Sequence, residues 1–440
     1  MSARIFGHYC PTESIGLFAL EAAGMAAGLA AVLAASLAAP VGILRSEIVA
    51  AVGVALAFEV SLYAWDLHDV RTATQDRRHG GRLLRALGGA SLLLGLGCWA
   101  WPAVLSPRLV LPAAALAALP ALVARWSYLA WLHAPTKIVV LGEGLRAAAV
   151  RRAIDRNGSG RFVVAVERCA VGELGRVIAA SGVKVVVVAS EDPRALPAEP
   201  LLAARFGGVR VLEAAQFVER LERRIALDLA RPLDLALAEG PLRTPAGLAM
   251  KRTFDVAAAC VLLALAGPLM ILAAIAVRAS SRGPVFYRQE RLGRDGKPYT
   301  LVKFRTMRTD AEEASGPVWA QERDPRVTSV GAFLRRSRLD ELPQLFNVLG
   351  GSMSLVGPRP ERAFFAKHLR EHIPLFDLRL AAKPGVTGWA QLRYPYGASI
   401  EDARAKLEFD LYYLENWSPF LDLVIAFHTA KHVLLGRGAR

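Results

Sequence analysis

The sequence predicts a multidomain membrane protein. It comprises a four-helix transmembrane bundle over residues 1–134, a Rossmann-like α/β domain over 135–230, a linker over 231–249, and an α/β catalytic domain over 250–440. That last domain is expected to carry a re-entrant membrane helix at 253–277 and interfacial amphipathic helices. Three observations lead there. The first third of the chain holds four apolar stretches of spanning length; from Lys137 onward β-rich runs alternate with helical ones; and an apolar run from Val256 to Val277 is interrupted by Gly267-Pro268 and is basic at both ends.

Composition sets the frame. A hydrophobic share of 54% and a mean hydropathy of +0.32 over 440 residues are high for a soluble chain, so membrane residence is the starting expectation. The formal charge of +15 suits anionic lipid or phosphorylated substrates once membrane segments are present, and no nucleic-acid partner is expected. Cys10, Cys98, Cys169 and Cys260 are scattered without a C-x-x-C spacing, which predicts neither a disulfide framework nor a zinc site. Further apolar runs follow the first, so a cleaved signal peptide is not expected.

The four apolar stretches cover about residues 15–38, 47–65, 86–105 and 108–131, each close to the ~20 residues a spanning helix needs. The loop from Asp66 to Arg85 holds Arg71, Arg77, Arg78, Arg82 and Arg85, whereas the other two loops offer only Arg45 and Arg108. The positive-inside rule then puts both ends of the bundle on the cytoplasmic side of the membrane, which the chain is expected to cross several times. Glu21 and Glu59 fall within these helices and read either as structural partners or as functional groups.

In the second domain, KIVVLGEG, RFVVAVE, VKVVVVAS and VRVLEA read as strands of a small parallel unit. Gly142, Gly144 and Ala147 match G-x-G-x-x-A between a strand and a helix, with Glu167 at the end of the next strand. The motif fits a dinucleotide turn, and equally a tight turn that merely needs glycine.

A fifth crossing at Val256–Val277 would carry everything after it out of the cytoplasm, against basic flanks at Lys251/Arg252 and Arg278/Arg282. A proline in mid-run kinks a helix, so Pro268 points to a re-entrant helix-break-helix; an ordinary kinked span is the alternative. Next comes a basic stretch, with Arg288, Arg291, Arg294, Lys297, Lys303, Arg305 and Arg308 interleaved with β-formers. At headgroup level such cations neutralise lipid and nucleotide phosphates. Tyr299 and Lys303 match a Y-x-x-x-K spacing used by sugar dehydrogenases, but that dyad needs a helix and PYTLVKF reads as a strand.

The segment RRSRLDELPQLFN, 335–347, concentrates the chemistry. Pro343 belongs in the first turn of a helix, which places Asp340 and Glu341 at or beside a helix N-terminus. The helix dipole and Arg335, Arg336 and Arg338 favour an ionised Asp340, and a carboxylate aimed at phosphorus is a competent nucleophile. By itself, Asp-Glu at a helix start is more commonly a plain cap.

The succession of motifs decides otherwise. KRTFDV at 251–256, GPVFYRQERLG at 283–293, KFRTM at 303–307, RLDELPQLFNVLGGSMSLVGPRPE at 338–361 and KPGVTGWAQL at 383–392 occur in this order. In them the last domain resembles the monotopic phosphoglycosyl transferases, bacterial sugar transferases that initiate polysaccharide assembly. The resemblance implies transfer of a sugar-1-phosphate from a UDP-sugar to undecaprenyl phosphate, with UMP released. By position it implies Asp340 as nucleophile and Mg2+ ligand, Glu341 as its catalytic partner, and Lys303, Arg335 and Arg359 on phosphates. Arg291 and Arg305 join them as substrate-binding candidates from the basic stretch, and Pro268 is implied as the break in the membrane helix. The two N-terminal units resemble additions of the larger members; small members lack them, so neither is expected to serve the chemical step. Where small members follow the tryptophan motif with Asn-Gly-Arg, this chain has Leu392-Arg393-Tyr394-Pro395-Tyr396-Gly397, which leaves the role of that arginine to Arg393 or to none.

Two rivals stand beside this reading: a membrane-anchored Rossmann oxidoreductase or dehydratase of nucleotide sugars, and a non-enzymatic membrane scaffold or sensor. Monomer and homo-oligomer are both open. The tail, with Phe420, Leu423, Val424, Phe427 and Leu434 at helical spacing, reads either as a helix lying on the membrane or as one packed on the domain. His368 and His372 lie four apart, but with no third ligand in the pattern a structural role is expected.

Overall fold

The computed structural model describes residues 2–5, 8–11, 41–65, 79–100, 135–157, 162–166, 169–192, 196–237, 244–309, 325–394 and 399–434, with isolated positions between them. The chain divides into two compact units, built mainly from Tyr9–Phe217 and from Val218–Arg440.

In the first unit, α1 (Val41–Ala64) and α2 (His79–Ala100) take the places of the second and third expected spans. Most of the first and fourth expected spans lies outside the described residues. Small residues let α1 and α2 approach closely: Ser61 Oγ donates to the Ala86 carbonyl, and a Cβ on Gly89 would come within 2.7 Å of that hydroxyl. Glu21 is buried and pairs with the buried Arg125 at 2.5 Å, a structural partnership between the first and fourth predicted spans.

The α/β part of this unit is a four-stranded parallel sheet of order β2-β1-β3-β4, from β1 (Thr136–Leu141), β2 (Phe162–Val166), β3 (Val185–Val188) and β4 (Arg210–Glu213). Helices α3 (Leu145–Asn157), α4 (Leu174–Ser181) and α5 (Ala198–Phe206) connect them, and α6 (Ala214–Glu222) follows. Val139, Leu141, Leu174 and Val186 form its core. The glycine motif has a conformational cause here: Gly142 has φ +114 and a Cβ on it would sit 2.8 Å from the backbone of Ala189. Glu167 lies outside the described residues.

The second unit begins earlier than the expected boundary at 230 because residues 219–228 are bonded into it. Ile225 N donates to the Glu408 carbonyl at 3.0 Å, Leu227 N to Glu408 Oε1 at 3.0 Å, and Trp389 Nε1 to the Arg223 carbonyl at 2.9 Å. Within the expected linker lies a short helix, α7 (Pro232–Leu237).

The membrane helix also differs from its predicted bounds. It is α8 (Pro245–Ser280), 36 residues long and extending beyond 253–277 at both ends, with Pro268 inside it. Its start follows from Thr244, whose hydroxyl accepts from Gly247 N at 3.1 Å, with Pro245 at the first helical position. α8 and Gly81–Ala100 of α2 are long and apolar enough to cross a membrane.

Burial in α8 follows one stripe. Lys251, Asp255 and Ala259 are buried near one end and Met270, Ala273 and Val277 near the other, while Val261, Leu265, Leu269, Leu272 and Ile275 are exposed. Both ends pack on the same unit. At the first, Lys251 Nζ reaches Asp255 Oδ1 at 3.1 Å and Asp422 Oδ2 at 2.8 Å, and Ser354 Oγ and Leu355 N both donate to Asp255 Oδ1 at 3.0 Å. At the second, Met270, Ala273 and Val277 share a core with Phe304 and Leu334.

An antiparallel hairpin, β5 (Phe286–Leu292) and β6 (Pro298–Phe304), is followed by α9 (Ser329–Arg336) and α10 (Gln344–Leu349). Strand β7 (Ser354–Val356) pairs in parallel with β8 (Gly385–Thr387), and α11 (Ala363–His372) lies between them in sequence. The chain closes with α12 (Trp389–Arg393), α13 (Ile400–Asn416) and α14 (Pro419–Leu434). α14 packs on the domain along one face: Leu421 and Ile425 are fully buried, whereas Leu423 and Phe427 are exposed.

Candidate active site

Asp340 and Glu341 occupy a single 3₁₀ turn, Leu339–Glu341, ahead of α10 rather than in its first turn. Arg338, with φ 59, turns the chain into it, and Pro343 leads into the six-residue α10. α10 is docked on β6 by one side chain. Asn347 Oδ1 accepts from Val302 N at 3.0 Å and its Nδ2 donates to the Thr300 carbonyl at 2.7 Å, extending the strand's edge. That docking brings Lys303 of β6 to the dyad.

Tyr299 and Lys303 lie on one strand, as the sequence predicts, so no helical Y-x-x-x-K dyad exists. The Lys303 ammonium sits 5.3 Å over the Tyr287 ring. Burial pushes its pKa down to about 8, Arg335 and Arg291 add to this, and Asp340 opposes it. Asp340 is buried and its pKa is pushed up to about 6, first by burial and then by Glu341, against Lys303, Arg335 and Arg338. The neighbouring arginines favour the charge on Asp340, but burial outweighs them, and a carboxylate at about 6 is still mostly ionised at neutral pH.

Of the remaining cations, Arg335 Nε donates to Thr306 Oγ1 at 2.9 Å, fixing α9 to the end of β6. Arg359 lies 3.5 Å from Glu341 Oε1 and donates to Gln391 Oε1 at 3.2 Å. Arg291 donates to Gln289 Oε1 and, at 3.1 Å, to the Pro360 carbonyl; burial and then Arg359 push its pKa down to about 10. Arg305 stands apart from these. Buried, it gives Nη1 to the Arg282 carbonyl at 2.6 Å and Nη2 to the Ser281 carbonyl at 2.9 Å, so its guanidinium caps the end of α8 instead of facing the dyad.

The GPRPE segment, 357–361, is held against the KPGVTG segment by backbone contact. Gly357 N donates to the Thr387 carbonyl and Gly385 N to the Pro358 carbonyl, both at 2.9 Å. A Cβ on Gly385 would lie 2.1 Å from Gly357 N, so no larger residue fits. Sequence reasoning missed the residue beneath: Arg379, buried, donates to the Arg359 carbonyl at 3.0 Å, lies 3.6 Å from Glu361 Oε1 and pairs with the buried Asp410 at 2.8 Å. Arg393 places its guanidinium 5.3 Å from the Trp389 ring centre.

Two adjoining carboxylates, one of them buried with its charged form disfavoured, fit a divalent cation, which Asp340 and Glu341 would hold. Among the described residues, the group of three metal-capable side chains is His368, Glu371 and His372, exposed on α11, with Glu371 the neighbour that the His-x-x-x-His spacing alone did not single out.

Residues 246–436 match the bacterial sugar transferase family. The chain is 39% identical over 232 residues to the UDP-N-acetylgalactosamine-undecaprenyl-phosphate N-acetylgalactosaminephosphotransferase of Aeromonas hydrophila, covering 53% of this chain and 54% of that one. To the UDP-glucose:undecaprenyl-phosphate glucose-1-phosphate transferase of Escherichia coli (strain K12) it is 45% identical over 192 residues, or 43% and 41% of the two chains. Against the protein of that same description in Caulobacter vibrioides it is 43% identical over 197 residues, 44% of this chain and 73% of the other. The match thus spans about half the length, or less, of the first two relatives and most of the third.

Proposed function

Because the chain belongs to the bacterial sugar transferase family, we propose that it moves a sugar-1-phosphate from a UDP-hexose to undecaprenyl phosphate at the cytoplasmic face of the inner membrane. This is the first membrane step of exopolysaccharide or capsule assembly. The observation that carries the reading is a buried carboxylate, Asp340, placed among Lys303, Arg335 and Arg338 with Glu341 beside it.

The reaction runs in two displacements. An Asp340 oxygen attacks the β-phosphorus of the donor; the new O–P bond forms as the bridging P–O bond breaks, and UMP leaves with that electron pair. An oxygen of the lipid phosphate then attacks the same phosphorus and the Asp340 carboxylate is released. Glu341 assists without bonding to phosphorus, held in place by Arg359 and by Arg338 at 3.6 Å. Lys303, Arg335, Arg359 and Arg291 bind phosphate oxygens and stabilise the charge that develops on them. When bound, with Asp340 as a protein ligand, Mg2+ supplies further neutralisation of the diphosphate. Arg305 serves by bracing α8.

The membrane helix is read as re-entrant around Pro268, which supports delivery of a lipid acceptor to a site on one side of the bilayer. Packing of both ends of α8 on one unit, with an apolar exposed face between them, favours this over a crossing. The exposed Leu423 and Phe427 of α14 suit the interface, and α1 and α2 belong to a four-helix bundle.

The test is a lipid-free half-reaction. Enzyme with UDP-sugar and Mg2+ releases about one UMP per site and gains a hexose phosphate on a peptide containing Asp340. Asp340→Asn abolishes both. A mass shift on another residue, or undiminished UMP release by Asp340→Asn, overturns the assignment.

A further inference from the structure

A second cluster of cations lies at the far end of α10 from the dyad. There Arg252 donates to the Val348 carbonyl and, at 2.7 Å, to that of Leu349, closing the helix's C-terminus. Beside it a cavity is lined by Lys251, Arg252, Arg294 and Lys383, with Asp255 the carboxylate among the lining residues and Tyr413 on its wall. Asp255 is already satisfied, since one of its oxygens receives Lys251, Ser354 and Leu355 N, and Asp422 holds Lys251 from behind. The other three cations are poorly compensated. Arg294 has Asp295 at 3.6 Å, and its buried Nε makes no hydrogen bond. Among the described residues, Arg252 meets only backbone carbonyls and Lys383 shows no ion pair. Arg252 and Lys383 converge: a Cβ on Gly351 would lie 3.6 Å from one guanidinium nitrogen and 3.7 Å from the ammonium.

We propose that this cavity is a second anion site, separate from the Asp340 site, that binds a phosphate group through Lys383, Arg294 and Arg252. Like charges gathered with too few counterions repel, and the arrangement gains stability when a phosphate completes it. The strain shows on Lys383, whose pKa is lowered by burial and then by Arg252, with Arg294 and Lys251 adding to this and Asp255 opposing. Its place in the fold names two sources for that phosphate. Lys251 and Asp255 form the foot of α8, and the apolar run begins one residue later at Val256, so a lipid headgroup reaches the cavity from the membrane side. A soluble phosphate reaches it from the aqueous side.

Lys383 is its own reporter, because an ammonium with a lowered pKa is readily acetylated and a bound phosphate shields it. Full-length protein in phosphate-free maltoside micelles is acetylated with increasing inorganic phosphate, dioctanoyl phosphatidylglycerol, or dioctanoylglycerol, and modification is read by peptide mass spectrometry. The Lys303 peptide, read separately, reports the Asp340 site. Saturable protection of Lys383 is expected from one or both phosphate-bearing probes and none from dioctanoylglycerol. Protection by phosphatidylglycerol alone assigns a lipid headgroup, by inorganic phosphate alone a soluble anion, and by both a site for either. Arg294→Gln, which changes a half-exposed side chain, is expected to weaken that protection about tenfold, the loss of roughly one charge-assisted contact. Unprotected Lys383 with both probes, equal protection by dioctanoylglycerol, or unchanged protection in a folded Arg294→Gln protein overturns the proposal.

Discussion

Arg379 lies 2.8 Å from Asp410 Oδ2, and the same guanidinium nitrogen donates to the carbonyl of Arg359 at 3.0 Å. A buried ion pair thus sets the backbone of the segment that presents Arg359 to Glu341. Asp410→Ala leaves the buried Arg379 with Glu361, at 3.6 Å, as its remaining carboxylate and is expected to cost about 3 kcal/mol in thermal or chemical unfolding. In Asp410→Asn, which retains the shape, KM for the UDP-sugar should rise more than kcat falls, because donor binding through Arg359 is what loosens.

UMP release should follow a bell-shaped pH profile. Asp340 attacks as a carboxylate, so activity is lost as pH falls through about 6; Lys303 binds phosphate as an ammonium, so activity is lost as pH rises through about 8. Lys303→Arg keeps its charge at high pH and should remove the alkaline limb while leaving the acid one, in steady-state assays across that range.

Asp340→Asn should be inactive and yet more heat-stable. The folded pKa of about 6 lies above the ordinary 3.8, so the ionised group costs stability above pH 6, and the cost disappears as pH falls toward the ordinary value. The melting temperature of Asp340→Asn should therefore exceed that of the parent at pH 7.5, and the difference should shrink at pH 5. Equal melting at both pH values would contradict the burial that raises this pKa.

Gly331→Ala should damage the site without touching a charged group. A Cβ there would lie 2.0 Å from the Thr306 carbonyl oxygen, which forces α9 away from the end of β6 and breaks the bond from Arg335 to Thr306. A loss of about 1–3 kcal/mol in stability is expected, together with weaker UDP-sugar binding measured by titration.

Cysteines placed at Met250 and Arg282, in a background lacking the native ones, test the membrane path. Both should react with an impermeant maleimide in inside-out vesicles and neither in intact spheroplasts. Reaction at 282 from the periplasmic side would make α8 a crossing helix.

The legible parts of this chain are those in which local pattern and tertiary placement agree. Alternating runs of valine gave the parallel sheet, and RLDELP gave a turn and a helix start, because period and proline geometry act within a few residues. Hydropathy alone places the start of α8 too late, because the signal for it is the cap, Thr244-Pro245, which precedes the apolar run. Arg305 looked like Lys303 and Arg335 in a basic run; only its burial against the end of α8 separates it from them. Arg379 and Asp410 could not be found at all, for neither sits in a motif and their pairing depends on how α13 packs. Asp340's electrostatics were argued from neighbours along the chain, whereas desolvation by the fold dominates.

The hold of one unit on both ends of α8 also bears on bilayer thickness. On the re-entrant path proposed above, α8 enters and leaves by one face and has no fixed relation to the far leaflet, so hydrophobic mismatch, which sorts and tilts crossing helices, would have little grip on it. Such a domain measures the membrane by the charge and packing of the near leaflet alone.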